Sequence, residues 1–142
     1  MQNNDPEFLA LVALSLVPGL GPRLTQAMLD HFGSAVAVCQ GKVQEFREVP
    51  LVGPKLSHSF AEALQMIEPT KELALAAELG VELVPISAAN YPKALKRIPD
   101  APHILYLRGN LLPADENAVA LVGSRKCSAY GQKMTAKLAA GL

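Results

Sequence analysis

Ala118-Val119-Ala120-Leu121-Val122-Gly123-Ser124-Arg125-Lys126-Cys127-Ser128-Ala129-Tyr130-Gly131 is the stretch on which the reading of the fold turns. Its first five residues are small or apolar and predict a buried parallel strand, Ala118–Val122. Gly123 then lets the backbone turn sharply. Ser128 is a good N-cap for the helical pattern that follows, Ala129–Leu142. A strand, a tight turn and a helix N-terminus form an anion site, because unpaired N–H groups point outward and the helix dipole favours negative charge. Arg125 and Lys126 add two cations to that turn, so a phosphate-bearing ligand is the natural guest.

The spacing limits what that ligand can be. A dinucleotide fingerprint needs three glycines at set offsets, and here only Gly123 lies in the turn while Gly131 falls within the helix. No Gly-x-x-x-x-Gly-Lys-Ser/Thr run occurs. The alternative reading is a plain strand–helix joint whose Arg125 and Lys126 are solvated.

The chain has 142 residues, enough for one domain or two small ones, and half of them are apolar. Its net charge of zero hides an asymmetry. Residues 1–80 carry five Lys/Arg against nine Asp/Glu, whereas residues 81–142 carry eight against four. A polyanion would prefer the second half. Cys39 and Cys127 are far apart and form no Cys-x-x-Cys, so no disulfide framework is expected and a reducing cytoplasm suits the chain. His31, His58 and His103 have no metal-ligand spacing, and no metal or cofactor is expected. The apolar run Phe8–Val17 lacks a basic flank and is too short to span a bilayer, so no membrane association is expected.

The acidic half contains a repeat. Val17-Pro18-Gly19-Leu20-Gly21-Pro22-Arg23-Leu24-Thr25 recurs as Val49-Pro50-Leu51-Val52-Gly53-Pro54-Lys55-Leu56-Ser57, with five of nine positions identical. Asp5 and Pro6 open a helix that Pro18 stops. Pro22 opens a second that Gly33 ends, and Pro54 opens a third that stops near Pro69. Thr70–Leu79 adds one more helix, and Gly80 sets the domain boundary. Helix, glycine turn and helix, twice over, resembles the helix–hairpin–helix repeat, which often binds duplex phosphates through hairpin N–H groups. Leu51 stands where the second copy should have its first glycine, and the local charge is acidic. Both favour a small helical bundle whose turns are structural.

Beyond Gly80, Val81–Ile86 alternates as a strand with Pro85 at an edge. Tyr91–Ile98 predicts a short helix, broken by Asp100-Ala101-Pro102. His103–Asn110 predicts another strand, and Leu111–Asn117 is a spacer. The order suggests the edge of an α/β sheet.

Tyr91-Pro92 with Leu95 and Ile98, then Pro102, Leu105-Tyr106, Gly109-Asn110, and finally Val119–Gly131 together resemble the DNA-processing protein A family (DprA, also called Smf). The helical front also resembles that family's N-terminal domain. The resemblance implies an all-helical SAM-like or helix–hairpin–helix-like domain over 1–80, followed over 81–142 by the beginning of an extended Rossmann-like α/β domain. It implies a cytoplasmic, non-catalytic protein that binds and protects incoming single-stranded DNA. Such a protein helps load the recombinase RecA during natural transformation (competence) and recombination, and forms a homodimer when intact.

Residue by residue, the resemblance carries DNA-backbone binding onto Gly123, Ser124 and Arg125. Lys126 and Ser128 join them on physical grounds, as a cation in the same turn and a helix cap. The family's sheet would continue past Leu142, so the chain reads as truncated. One face of Ala118–Gly123 and the apolar side of Ala136–Leu142 are then expected to be uncovered. Two other functions stay open: a Rossmann-like nucleotide-processing enzyme resembling phosphoribohydrolases, or a protein-interaction module built on the acidic helical half. Within these residues no nucleophile–base pair is evident, and Ser124, Cys127 and Tyr130 lack a base.

Overall fold

The computed structural model describes residues 5–141. Its contacts group into two compact units, one ending at Leu111 and the other starting at Leu112.

The first unit opens with helix α1 (Pro6–Leu16). The Asp5 carboxylate accepts the Glu7 N–H at 3.0 Å and caps its N-terminus, with Pro6 in the first turn. Helix α2 (Pro22–Phe32) closes on Gly33, which holds a left-handed φ of 82°. Helix α5 (Pro54–Met66) and helix α6 (Pro69–Glu78) follow the expected proline starts.

Two short helices between Gly33 and Val49, α3 (Ala35–Gln40) and α4 (Val43–Phe46), were not anticipated from the sequence. A long-range cap supports the first of them. The Glu7 carboxylate, on α1, accepts the N–H groups of Ala35 at 2.6 Å and Val36 at 3.2 Å. These orphan donors at the start of α3 would otherwise face the interior unpaired.

The repeat is a repeat of backbone as well as sequence. Leu20 N–H donates to Val17 C=O, and Val52 N–H to Val49 C=O, both at 3.1 Å. Gly21 and Gly53 precede α2 and α5 in the same extended conformation. The side chains of Val17, Leu20, Val49 and Val52 are buried in one core with Leu14, Met28, Val38, Phe46 and Phe60. Each large apolar side chain buried there contributes about 1.5–3 kcal/mol. Phe46 meets Phe32 edge-on with centroids 5.6 Å apart.

Strands β1 (Val81–Pro85) and β2 (Ile104–Arg108) pair antiparallel, from Val81 opposite Arg108 to Pro85 opposite Ile104. Helix α7 (Lys93–Lys96) lies between them in sequence. The buried Tyr91 hydroxyl donates to Pro102 C=O at 2.7 Å and ties the connection to the start of β2. Ile104 packs with Phe8 and Val12 of α1. The sequence boundary at Gly80 therefore lies inside a unit that holds β1 and β2 together with the helices. A mostly helical chain with one small sheet agrees with the expected α plus α/β class at that level.

In the second unit, a 3-10 turn (Pro113–Asn117) precedes helix α8 (Ala129–Ala139). The helix was expected to run to Leu142, which lies outside the described residues. The expected strand over Ala118–Val122 is not there: the run has no ladder partner among the described residues, and all of it is exposed. A buried parallel strand needs neighbours on both edges and cover on both faces. Without them, five apolar residues have no reason to settle into strand geometry. Val119, Val122 and Leu138 are exposed, in line with the uncovered faces expected from sequence.

Candidate nucleic-acid interface

The five residues singled out by sequence lie within six positions at the start of α8. Ser128 caps the helix: its hydroxyl oxygen accepts the Gly131 N–H at 3.1 Å, and its carbonyl accepts the Gln132 N–H at 3.0 Å. These bonds use two first-turn donors and leave the N–H groups of Ala129 and Tyr130 without an acceptor among the described residues. Ser124 Oγ accepts the Lys126 N–H at 3.3 Å, which stabilises the bend through Arg125 and Lys126.

Gly123 plays a different part from the one expected. Its φ is not left-handed, and the bend sits at Arg125-Lys126 instead. A Cβ built on Gly123 would meet nothing within 4 Å. Neither backbone strain nor packing among the described residues requires glycine at this position.

The electrostatics of this unit are one-sided. After Asn117 the sequence holds Arg125, Lys126, Lys133 and Lys137 and no Asp or Glu. All four cations are exposed, and none has an ion pair among the described residues. Asp115, upstream, is engaged in accepting the Leu112 N–H at 2.7 Å. A helix start with two open N–H groups, positive dipole end and two adjacent cations is chemically suited to a phosphate. Sequence reasoning passed over Lys133 and Lys137, although their i, i+4 spacing on a recognised helix was a signal that both share one side.

The other titratable residues offer no competing centre. Among the described residues, no group of three or more His, Cys, Asp or Glu could hold a metal ion. Cys39 and Cys127 are free thiols, and burial, aided by the Glu7 carboxylate, pushes Cys39 up to about 11. His31 approaches Glu48 at 4.0 Å, His58 bonds Arg47 at 3.0 Å, and His103 bonds Gln26 at 3.0 Å. No helix among the described residues is long and apolar enough to cross a membrane.

Residues 82–142 match the family model described as DNA recombination-mediator protein A. That match spans less than half of the chain. The chain is also 36% identical over 63 residues to DNA processing protein DprA of Bacillus subtilis, which covers 44% of the chain and 21% of that relative. It is 42% identical over 48 residues to UvrABC system protein C of Symbiobacterium thermophilum, covering 34% of the chain and 8% of the relative. A similar match, 38% over 62 residues, joins 44% of the chain to 9% of UvrABC system protein C of a Parafrankia species. The chain thus spans about a fifth or less of the length of these relatives. No solved structure matches. The DNA recombination-mediator family covers the whole of the basic turn and α8.

Proposed function

We propose that this chain acts in DNA processing during recombination, and that the turn from Gly123 to Ser128 holds the backbone of single-stranded DNA. The observation that carries the reading is the pair Arg125 and Lys126. Both are exposed and unpaired among the described residues, beside the open N–H groups of Ala129 and Tyr130, within the stretch that matches the recombination-mediator family model. Arg125 and Lys126 neutralise phosphates, Ser124 and Ser128 shape the bend, and Gly123 keeps the backbone open to close approach. Contacts of this kind hold a strand without reading its bases.

The wider reading follows the family and the name of the Bacillus subtilis relative. In it the protein is a cytoplasmic, non-catalytic mediator that protects incoming single strands and hands them to RecA in transformation, working as a homodimer when intact. Its basic segment opens a Rossmann-like domain. Its helical part is SAM-like or helix–hairpin–helix-like, a reading supported by the matched backbone of the two glycine turns.

The test is fluorescence anisotropy of a labelled oligo(dT) with wild type and Arg125→Ala over a salt series. Salt-sensitive binding is expected, with the slope of log K against log salt reduced by about 0.7–1 in the variant. An unchanged slope removes Arg125 from the site. No binding by wild type removes the DNA reading and moves a small phosphorylated nucleotide to first place.

A further inference from the structure

The exposed side of α8 extends the basic turn into a track. Tyr130, Lys133 and Lys137 follow the i, i+3 and i+7 positions of one helical face. Lys133 and Lys137 are exposed and unpaired among the described residues, about 6 Å apart along the axis. Tyr130 is 73% exposed, one turn before Lys133 and two positions after the Ser128 cap. Gly131 and Met134 are the half-buried positions of the helix, so the two lysines lie to one side of its packed edge. An exposed aromatic ring beside a line of cations, with no acid after Asn117, is the composition that single strands select: stacking for bases and positive charge for phosphates.

We propose that the face of α8 carrying Tyr130, Lys133 and Lys137 is a second contact for single-stranded nucleic acid. The strand leaves Arg125 and Lys126, one base stacks on the Tyr130 ring, and the following phosphates pass Lys133 and Lys137. The inference rests on the reading of the basic turn as a DNA site. Charge complementarity selects a polyanion for this face, since a symmetric contact with the same face of a second copy would set four cations against these four.

The experiment measures anisotropy of fluorescein-labelled oligo(dT) against the 142-residue chain in a salt series. It compares wild type, Arg125→Ala, Lys133→Ala/Lys137→Ala, Tyr130→Ala and Tyr130→Phe. Circular dichroism confirms equal helicity, which alanine at exposed helix positions should preserve. The double lysine variant should lower the salt slope by about 1.4, or 0.7 per phosphate lost on a single strand. Tyr130→Ala should weaken binding by about 5- to 150-fold with the slope unchanged, and Tyr130→Phe should bind as wild type. If Arg125→Ala weakens binding while the α8 variants match wild type, the track is wrong and the turn stands. If wild type does not bind, both fall. If Tyr130→Ala alters the sedimentation of the free protein and leaves DNA affinity intact, the face is a contact between copies and the track is again wrong.

Discussion

Leu51 holds the same left-handed backbone as Gly19, with φ of 72° against 81°, at the matching position of the second glycine turn. It is the one described non-glycine residue in that region. The flanking hydrogen bonds, the extended Gly21 and Gly53 and the buried valines impose the turn on both copies. The second copy keeps the turn against its own side chain, at a cost of about 1–2 kcal/mol.

Leu51 is 63% exposed, so little apolar burial is lost when its side chain is removed. Leu51→Gly should therefore stabilise the protein by about 0.5–1 kcal/mol, after the greater chain entropy of glycine is deducted. Gly19→Ala should cost about 1 kcal/mol for the converse reason, without any clash, since a Cβ there would meet nothing within 4 Å. Urea titration of the two variants decides it. Destabilisation by Leu51→Gly would mean the leucine contributes packing that outweighs its strain.

Much of this architecture is written in local punctuation. Asp5-Pro6, Pro22, Gly33, Pro54 and Gly80 mark helix ends by their own conformational limits, and the helices start and stop beside them. The helices α3 and α4 have six and four residues, too few to show a period, and α3 depends on Glu7 from 28 positions away. Ala118–Val122 fails for the opposite reason: an apolar run states a preference for burial, but only partner strands can make it a strand. The Ser128 cap was legible because a cap is a bond over three residues. The place of the bend at Arg125-Lys126, two residues after Gly123, was not legible, because glycine permits a turn without fixing it.

Glu7 links α1 to the start of α3 by accepting from two N–H groups, those of Ala35 and Val36. Glu7→Ala should destabilise folding by about 1–3 kcal/mol, because donors at a helix start lose their charged acceptor. Glu7→Gln, which keeps a neutral acceptor, should recover part of the loss. Equal stability of Glu7→Ala and wild type in denaturant titrations would show that water replaces the carboxylate at no cost.

His103 should make stability pH-dependent. It is buried, its Nε2 pairs with Gln26 at 3.0 Å, and its Nδ1 has no partner among the described residues. Burial pushes its titration below the ordinary 6.5, and the Asp30 carboxylate opposes this more weakly. A folded value below the unfolded one means the unfolded chain binds the proton more readily. The contribution is whole above about 6.5 and is lost as pH falls through the folded value. Unfolding free energies at pH 7.5 and 5.5 should differ by more in wild type than in His103→Gln, and an identical pH response in the two would contradict the assignment.

The two thiols should be kinetically distinct. Cys127 is exposed, whereas Cys39 is half-buried and its thiol is pushed up to about 11, chiefly by burial. The thiolate is the reacting species, so at pH 8 Cys39 is nearly all protonated. Titration with a chromogenic disulfide should give one fast thiol in the native protein and two in denaturant. Cys127→Ser should abolish the fast phase, and a surviving fast phase in that variant would place Cys39 in solvent reach.

Gly123 separates a demand of the fold from a demand of the ligand. With no left-handed φ and open space where a Cβ would stand, Gly123→Ala should leave the unfolding free energy within about 0.5 kcal/mol of wild type. If the turn holds a DNA phosphate by close backbone approach, the same methyl group stands between backbone and ligand. Oligo(dT) affinity should then fall while stability stays put, and Gly123→Val should lower it further. Loss of stability in step with affinity would trace the glycine to folding instead. Unchanged affinity in both variants would confine the contact to the side chains of Arg125 and Lys126.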